Sequence, residues 1–119
     1  MVATAIVLLV AIIGGNIALI EAHESAHKKI FAYYGVESEI EYRWDVNAIA
    51  VTVPTTRVPA ENWQFIYGLQ ALNEVVGYQM IALFNIFAIF ISFVVFLFIY
   101  LIPDYEEEEE EVEEDVGKV

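Results

Sequence analysis

The chain has no cysteine, only two histidines and only five basic residues. The absence of cysteine excludes disulfides and thiolate metal sites, so a bound metal ion would need histidine, aspartate or glutamate ligands. With 18 acidic residues and a net charge of −13, nucleic acid is not expected as a partner. Most of the acidic residues lie between Asp104 and Asp115, so the charge describes a tail and not a binding face.

Two long apolar segments dominate the rest. At 119 residues and 59% hydrophobic composition, the chain is at most one domain and too apolar for a soluble domain of this size. Val2 to Ile20 carries no charge and is long enough to cross the ~30 Å hydrocarbon layer of a membrane as a helix, and residues 80–102 form a second such span. A signal peptide is the alternative for the first segment. The positively charged n-region of a signal peptide is missing, however, because no Lys or Arg lies between Met1 and this segment's apolar residues. Gly14, Gly15 and Asn16 interrupt this segment, as residues at close helix contacts do, within the chain or with a second copy.

A short polar motif follows the first segment. His23-Glu24-Ser25-Ala26-His27 has the pattern H-E-x-x-H. On a helix, residues i and i+4 share one face, so both imidazoles can reach one metal ion while Glu24 can hold a water beside it. Zinc suits such a site because neutral imidazole binds it well. The alternative is a chance polar run where a membrane helix ends.

A hairpin and a long helix are predicted next. Alternating polar and apolar residues from Val36 to Trp44, then β-branched residues from Ala48 to Val53, predict two antiparallel strands. Pro59 is well placed to begin a helix. No proline interrupts residues 60–102, which predicts one very long helix or two helices joined near Gly77.

A polar stripe on this long helix offers the third metal ligand. Gln70, Asn73, Glu74 and Gly77 recur at helical spacing, so the stripe is expected to face protein. A catalytic zinc normally has three protein ligands and one open position. By helix rise, Glu74 and His23 fall at similar membrane depth, which makes Glu74 the candidate. The alternatives for Glu74 are a hydrogen-bonded partner of a lysine or tyrosine and a headgroup-level residue facing water.

The H-E-x-x-H motif followed by Asn73-Glu74 resembles the gluzincin metallopeptidases, in which a glutamate from a later helix, often within N-E, meets the H-E-x-x-H helix. The resemblance implies His23, His27 and Glu74 as zinc ligands and Glu24 as the general base. In thermolysin-like members an acid after the N-E orients a histidine, whereas this chain lacks that acid.

The layout resembles a different family. A membrane helix ending in H-E-x-x-H, then Gly35 and a β-hairpin, is similar to the opening of the site-2 protease family of intramembrane metalloproteases. That family takes its third ligand from an aspartate in an L-D-G motif, which this chain lacks. We therefore take the layout from this family and the third ligand from the gluzincins.

These patterns predict an α+β membrane protein with two transmembrane helices joined by a β-hairpin, and a disordered acidic tail. The expected activity is zinc-dependent peptide hydrolysis near the membrane surface, with Tyr78 as hydrogen-bond donor to the oxyanion. The alternative is a non-enzymatic accessory or assembly subunit whose metal is structural or absent. The expected segments are a first span (2–22), its H-E-x-x-H extension (23–35), the hairpin (36–54), the polar-stripe helix (59–79), the second span (80–102) and the tail (103–119).

Partners and placement follow from the same features. The bilayer is the first partner, with a peptide or membrane protein as substrate. Because two helices and a hairpin leave little wall around a site, a homo-oligomer or a partner subunit is also expected. Four of the five basic residues lie between the two spans, so the positive-inside rule places the hairpin and the site on the cytoplasmic side.

Overall fold

The computed structural model describes residues 2–46 and 48–101, and within these ranges it contains two long helices with a two-stranded hairpin between them. Helix α1 is Val2–Tyr33, strands β1 and β2 are Ser38–Tyr42 and Ala50–Pro54, and helix α2 is Trp63–Leu101. The predicted acidic tail, 103–119, lies outside the described residues. The predicted arrangement of two apolar helices joined by a hairpin is confirmed.

Helix α1 continues without a break through the H-E-x-x-H motif, as predicted. It ends at a Schellman cap: Val36 N–H donates to the Phe31 carbonyl at 3.0 Å and Gly35 N–H to the Ala32 carbonyl at 3.0 Å. Gly35 has φ +73°, a backbone conformation that costs glycine little. The cap brings Val36 against Phe31, and both are buried with Ile66 of α2 in the small hydrophobic core. The cap therefore fixes where the hairpin leaves the helix.

The hairpin is shorter than the alternating pattern predicted. Strands β1 and β2 pair antiparallel, with Ser38 opposite Pro54 and Tyr42 opposite Ala50. The first predicted strand loses residues at both ends, because Val36 belongs to the helix cap and Trp44 adopts φ 53°, which ends the extended backbone. Both strands pack on α1, and Thr52 of β2 contacts Glu24 of the H-E-x-x-H motif.

Helix α2 is one continuous helix. A 3-10 turn, Ala60–Asn62, follows Pro59 and leads directly into it. The sequence left open a break near Gly77, but the helix passes through this residue to Leu101. At 39 residues, α2 is about 58 Å long.

The two helices pack antiparallel, with contacts at both the polar and the apolar parts. The ring of Phe84 lies over Gly15, where a Cβ would overlap it, and Asn16 hydrogen-bonds Asn85. Gly15 and Asn16 therefore mark an internal helix contact, one of the two options left open by the sequence. Nothing lies within 4 Å of a Cβ built at Gly14.

Most apolar side chains of both helices are not covered by other parts of the chain. Leu9 is 58% exposed and Phe90 is 63% exposed, although both lie in the middle of apolar segments. Both helices are long and apolar enough to cross a membrane, by length and composition. The protein thus has a small core beside the hairpin and two largely uncovered apolar helices.

Candidate metal centre

The two histidines of α1 lie one helical turn apart and converge. Their rings meet edge to face, with centroids 4.5 Å apart, and the two Nε2 atoms are 3.1 Å apart. The side chains are 10% and 9% exposed for His23 and His27. Both rings therefore direct a nitrogen that can bind a metal ion, Nε2, to the same point between α1 and α2.

Glu74 of α2 completes this group. Its Oε1 lies 3.1 Å from His27 Nε2, and its Oε2 lies 3.5 Å from His23 Nε2. Zinc bonds to nitrogen and oxygen of about 2.0–2.1 Å, arranged tetrahedrally, place neighbouring donors roughly 3.3 Å apart. The two Nε2 atoms, 3.1 Å apart, have about this spacing, and a different Glu74 oxygen lies near each of them, Oε1 near His27 and Oε2 near His23. The structure thus brings together the three ligands predicted from the sequence, in a group that could hold a metal ion.

The group is closed on the protein side and open on the other. Both histidines are mostly buried, whereas the Glu74 side chain is 46% exposed. This differs from the sequence expectation that the whole polar stripe faces protein, because Glu74 lies at its edge. An open side suits a fourth ligand from water or substrate.

Glu24 lies beside the group and not within it. Its Oε1 is 3.9 Å from His23 Nε2, and the residue is 6% exposed. Thr52 of β2 donates its hydroxyl hydrogen to Glu24 Oε2 at 2.7 Å, and the same hydroxyl is 3.0 Å from the Glu24 carbonyl. The hairpin therefore orients the Glu24 carboxylate. Sequence reasoning did not single out Thr52, since it is one β-branched residue among several in its strand.

The polar stripe of α2 supports the histidines. His27 Nδ1 is hydrogen-bonded to Gln70 Oε1, and Gln70 Nε2 donates to the His27 carbonyl at 3.3 Å. Because an amide oxygen only accepts, His27 donates this bond from Nδ1, and its Nε2 is the ring atom on the side of Glu74. Asn73 Nδ2 donates to the His23 carbonyl at 3.2 Å. The stripe was recognised in the sequence, but these pairings were not.

Gly77 makes the close approach to His23 feasible. Three atoms of the His23 ring would lie within 3.0 Å of a Cβ built at Gly77. Any side chain there would push the ring away. The smallest residue of the stripe therefore lies where the histidine ring needs the space.

Tyr78, the predicted oxyanion donor, lies at the edge of the site. Its ring centroid is 6.1 Å from that of His23, and the residue is 68% exposed. It lines the cleft on the side of the apolar segments. This position leaves the ligand atoms of His23, His27 and Glu74 clear.

Two clefts meet at the group. One, of about 330 Å³, extends toward Phe31 and Tyr67, and the other, of about 430 Å³, extends toward Ile20 and Ile81. Both are lined by residues of β2 and of α2, and they share three residues: Glu24, Val51 and Glu74. The three residues that could hold an ion, His23, His27 and Glu74, are called the metal group below, and they lie midway along a groove.

A second contact holds the hairpin on α1. Tyr42 of β1 donates its hydroxyl to Glu21 Oε1 at 3.3 Å. Partial burial, and then the nearby Glu21 carboxylate, raise the pKa of Tyr42. The phenol therefore stays protonated near neutral pH and continues to donate this hydrogen bond.

Comparisons with known proteins give no assignment. No protein-family model matches the chain, and no curated protein or solved structure is significantly similar to it. The function therefore has to be argued from the geometry of the site.

Proposed function

We propose that the chain is a membrane-embedded zinc-dependent peptidase that hydrolyses peptide bonds near the membrane surface. One observation carries the proposal. His23, His27 and Glu74 bring one ligand atom each to within 4.8 Å of one another, while Glu24 lies alongside, buried and outside this group. A purely structural site has no need for a second oriented carboxylate beside its ligands.

Zinc fits the donor set. Two neutral imidazoles and one carboxylate, with an open fourth position, form the type of ligand set used by catalytic zinc. The hydrogen bond from His27 Nδ1 to Gln70 supplies the outer partner that a metal-binding histidine normally has. Zinc bound there would lower the pKa of a coordinated water and polarise the substrate carbonyl.

Glu24 is placed to move the proton. With its Oε2 held by Thr52, its Oε1 faces the donor triangle at 3.9 Å from His23 Nε2. It takes a proton from the attacking water and later gives it to the leaving amine, as a general base and then a general acid. Tyr78 is the proposed hydrogen-bond donor to the substrate oxyanion.

The hairpin offers a binding edge for an extended peptide. The bonds from Thr55 N–H to the Glu37 carbonyl at 2.8 Å and from Arg43 N–H to the Ile49 carbonyl at 2.9 Å identify the hydrogen-bonded pairs of the ladder. By antiparallel alternation, Ala50 and Thr52 then direct their backbone groups away from β1. A substrate strand added there would run along the groove past the metal group.

The site belongs at a membrane boundary. His23 follows the uncharged part of α1 by about 5 Å of helix rise, and Glu74 precedes the second span, 80–102, by about 9 Å. We place both apolar helices across the bilayer and the hairpin on the cytoplasmic side, supported by the basic residues between the spans. Substrate or a second subunit would cover the open side of Glu74.

The test separates catalysis from metal binding in the purified, membrane-reconstituted protein. We expect about one zinc ion per chain in the wild type. Glu24→Gln should keep the zinc and lower peptidase activity by about 10²–10⁴-fold, because the general base is lost. His27→Ala and Glu74→Ala should lose both zinc and activity. Glu21→Gln is the matched control, since Glu21 is an exposed acid on the same helix that hydrogen-bonds Tyr42, and it should behave like the wild type.

Two results would contradict the proposal. Wild-type protein that binds no zinc after reconstitution would remove the metal centre altogether. Zinc binding with equal activity in Glu24→Gln and wild type would instead favour a structural metal in a non-enzymatic accessory subunit.

A further inference from the structure

The apolar parts of the two helices are joined by a pair of asparagines. Asn16 Nδ2 donates to Asn85 Oδ1 at 3.1 Å, and Asn85 Nδ2 donates to Asn16 Oδ1 at 2.8 Å. Each amide also donates to a carbonyl one turn earlier on its own helix, Ile12 at 2.9 Å and Ile81 at 2.8 Å. Every side-chain N–H of the pair is therefore used, and each side-chain oxygen accepts a bond.

Such a pair is satisfied in only one arrangement of the helices. A slide by one helical turn, about 5.4 Å, would break both interhelical bonds and leave amide groups unpaired in apolar surroundings. Packing of apolar side chains alone discriminates weakly between neighbouring registers. The adjacent contact of Phe84 with Gly15 agrees with the same register, because a side chain at Gly15 would overlap the ring.

The metal group lies two turns further along the same helix contact. Asn16 precedes His23 by seven residues, about 10 Å of helix rise, and no break in α1 separates them. The ligands come from different helices, so their separations of 3.1–3.5 Å depend on how α1 sits against α2. A change in register or rotation would carry both histidines away from Glu74 together.

We propose that Asn16 and Asn85 are positioning residues for the metal centre: their reciprocal amide pair sets the register and rotation that bring His23 and His27 to Glu74. This inference rests on the zinc site of the proposed function. It assigns to the pair a role in metal affinity beyond holding the helices together.

The experiment measures zinc affinity by competition with a chromophoric chelator and the absorption spectrum of the Co²⁺-loaded protein. The variants are Asn16→Leu, Asn85→Leu and their double variant, which removes the pair without leaving one amide unpaired. The control is Ser92→Ala, because Ser92 Oγ donates only within its own helix, to the Ala88 carbonyl at 2.7 Å. Helix content by circular dichroism verifies folding in each case.

We expect the double variant to bind zinc roughly three- to fifteen-fold more weakly, the range set by measured interhelical hydrogen bonds in membranes. Its Co²⁺ spectrum should change, since the ligand geometry relaxes, while Ser92→Ala keeps the wild-type affinity and spectrum. Wild-type affinity and spectrum in a folded double variant would overturn the positioning role and leave the zinc site intact. Absence of metal binding in the wild type would overturn both. If the leucine variants lose helix content, Asn16→Ser, with its shorter polar side chain, is judged by the same two readouts.

Discussion

Replacement of Gly77 by alanine is the sharpest test of how the two helices meet at the metal group. Three atoms of the His23 ring would lie within 3.0 Å of the added Cβ, whereas ordinary contacts begin at 3.4 Å. The ring or the whole of α1 therefore has to move, by about 1 Å or more for ordinary contact. The ligand separations are only 3.1–3.5 Å, so this displacement spoils the donor triangle.

The expected magnitude comes from two opposing terms. Inserting a methyl group into a filled contact costs about 1–3 kcal/mol, which corresponds to a roughly 5- to 150-fold loss of zinc affinity if the loss falls on the metal-bound state. Alanine in place of glycine inside a helix favours folding by about 1 kcal/mol. Zinc affinity should therefore fall clearly, while the stability of the metal-free protein should rise by no more than the gain of about 1 kcal/mol from helix propensity.

Gly68→Ala provides the matched control. Gly68 lies on the same helix, and nothing is within 4 Å of a Cβ built there. This variant should gain up to about 1 kcal/mol in stability from helix propensity and keep wild-type zinc affinity. Chelator competition and thermal unfolding measure both quantities. If Gly77→Ala matched Gly68→Ala in both assays, the packing of His23 against α2 would be refuted.

The remaining predictions concern the residues around the ligands. Thr52→Val removes the hydrogen bond to Glu24 at nearly constant side-chain volume. A hydrogen bond to a charged group contributes about 1.5–3 kcal/mol, so peptidase activity should fall at least tenfold. The zinc content of the same preparation should not change. Loss of zinc would instead indicate that Thr52 supports the metal. Gln70→Leu removes the partner of His27 Nδ1 and should weaken zinc binding by about 10–100-fold in calorimetry; unaltered binding would dissociate Gln70 from the metal centre. Tyr78→Phe should lower kcat by about 10²–10³-fold with zinc retained, whereas wild-type kinetics would exclude Tyr78 as the oxyanion donor.

Local patterns in the sequence were sufficient for the helices and for three of the polar positions. Periodicity alone reveals these features, because each is defined by residues within one or two helical turns of one another. They are the uncharged apolar run, the i, i+4 pair of histidines and the polar stripe at helical spacing. The restriction to two histidines and no cysteine then directed attention to Glu74.

Strand ends and the unbroken course of α2 were less predictable. The alternating pattern predicted a first strand from Val36 to Trp44. In the structure Val36 belongs to the helix cap, and Trp44 has a left-handed backbone conformation. Similarly, the sequence left open a helix break near Gly77, although it also placed this residue on the stripe expected to face protein, where the structure packs it against His23. A glycine is ambiguous in this way because its meaning depends on what approaches it.

The sequence by itself determined that the chain has two long apolar helices and a paired histidine motif with an adjacent glutamate. Only the tertiary structure decided which distant groups complete the site. Thr52 reaches Glu24 across 28 positions, Gln70 reaches His27 across 43, and Asn16 reaches Asn85 across 69. Contacts of this kind produce no periodic pattern in the sequence. They form only when the cap at Gly35 directs the hairpin back onto α1 and the two helices pack in one register.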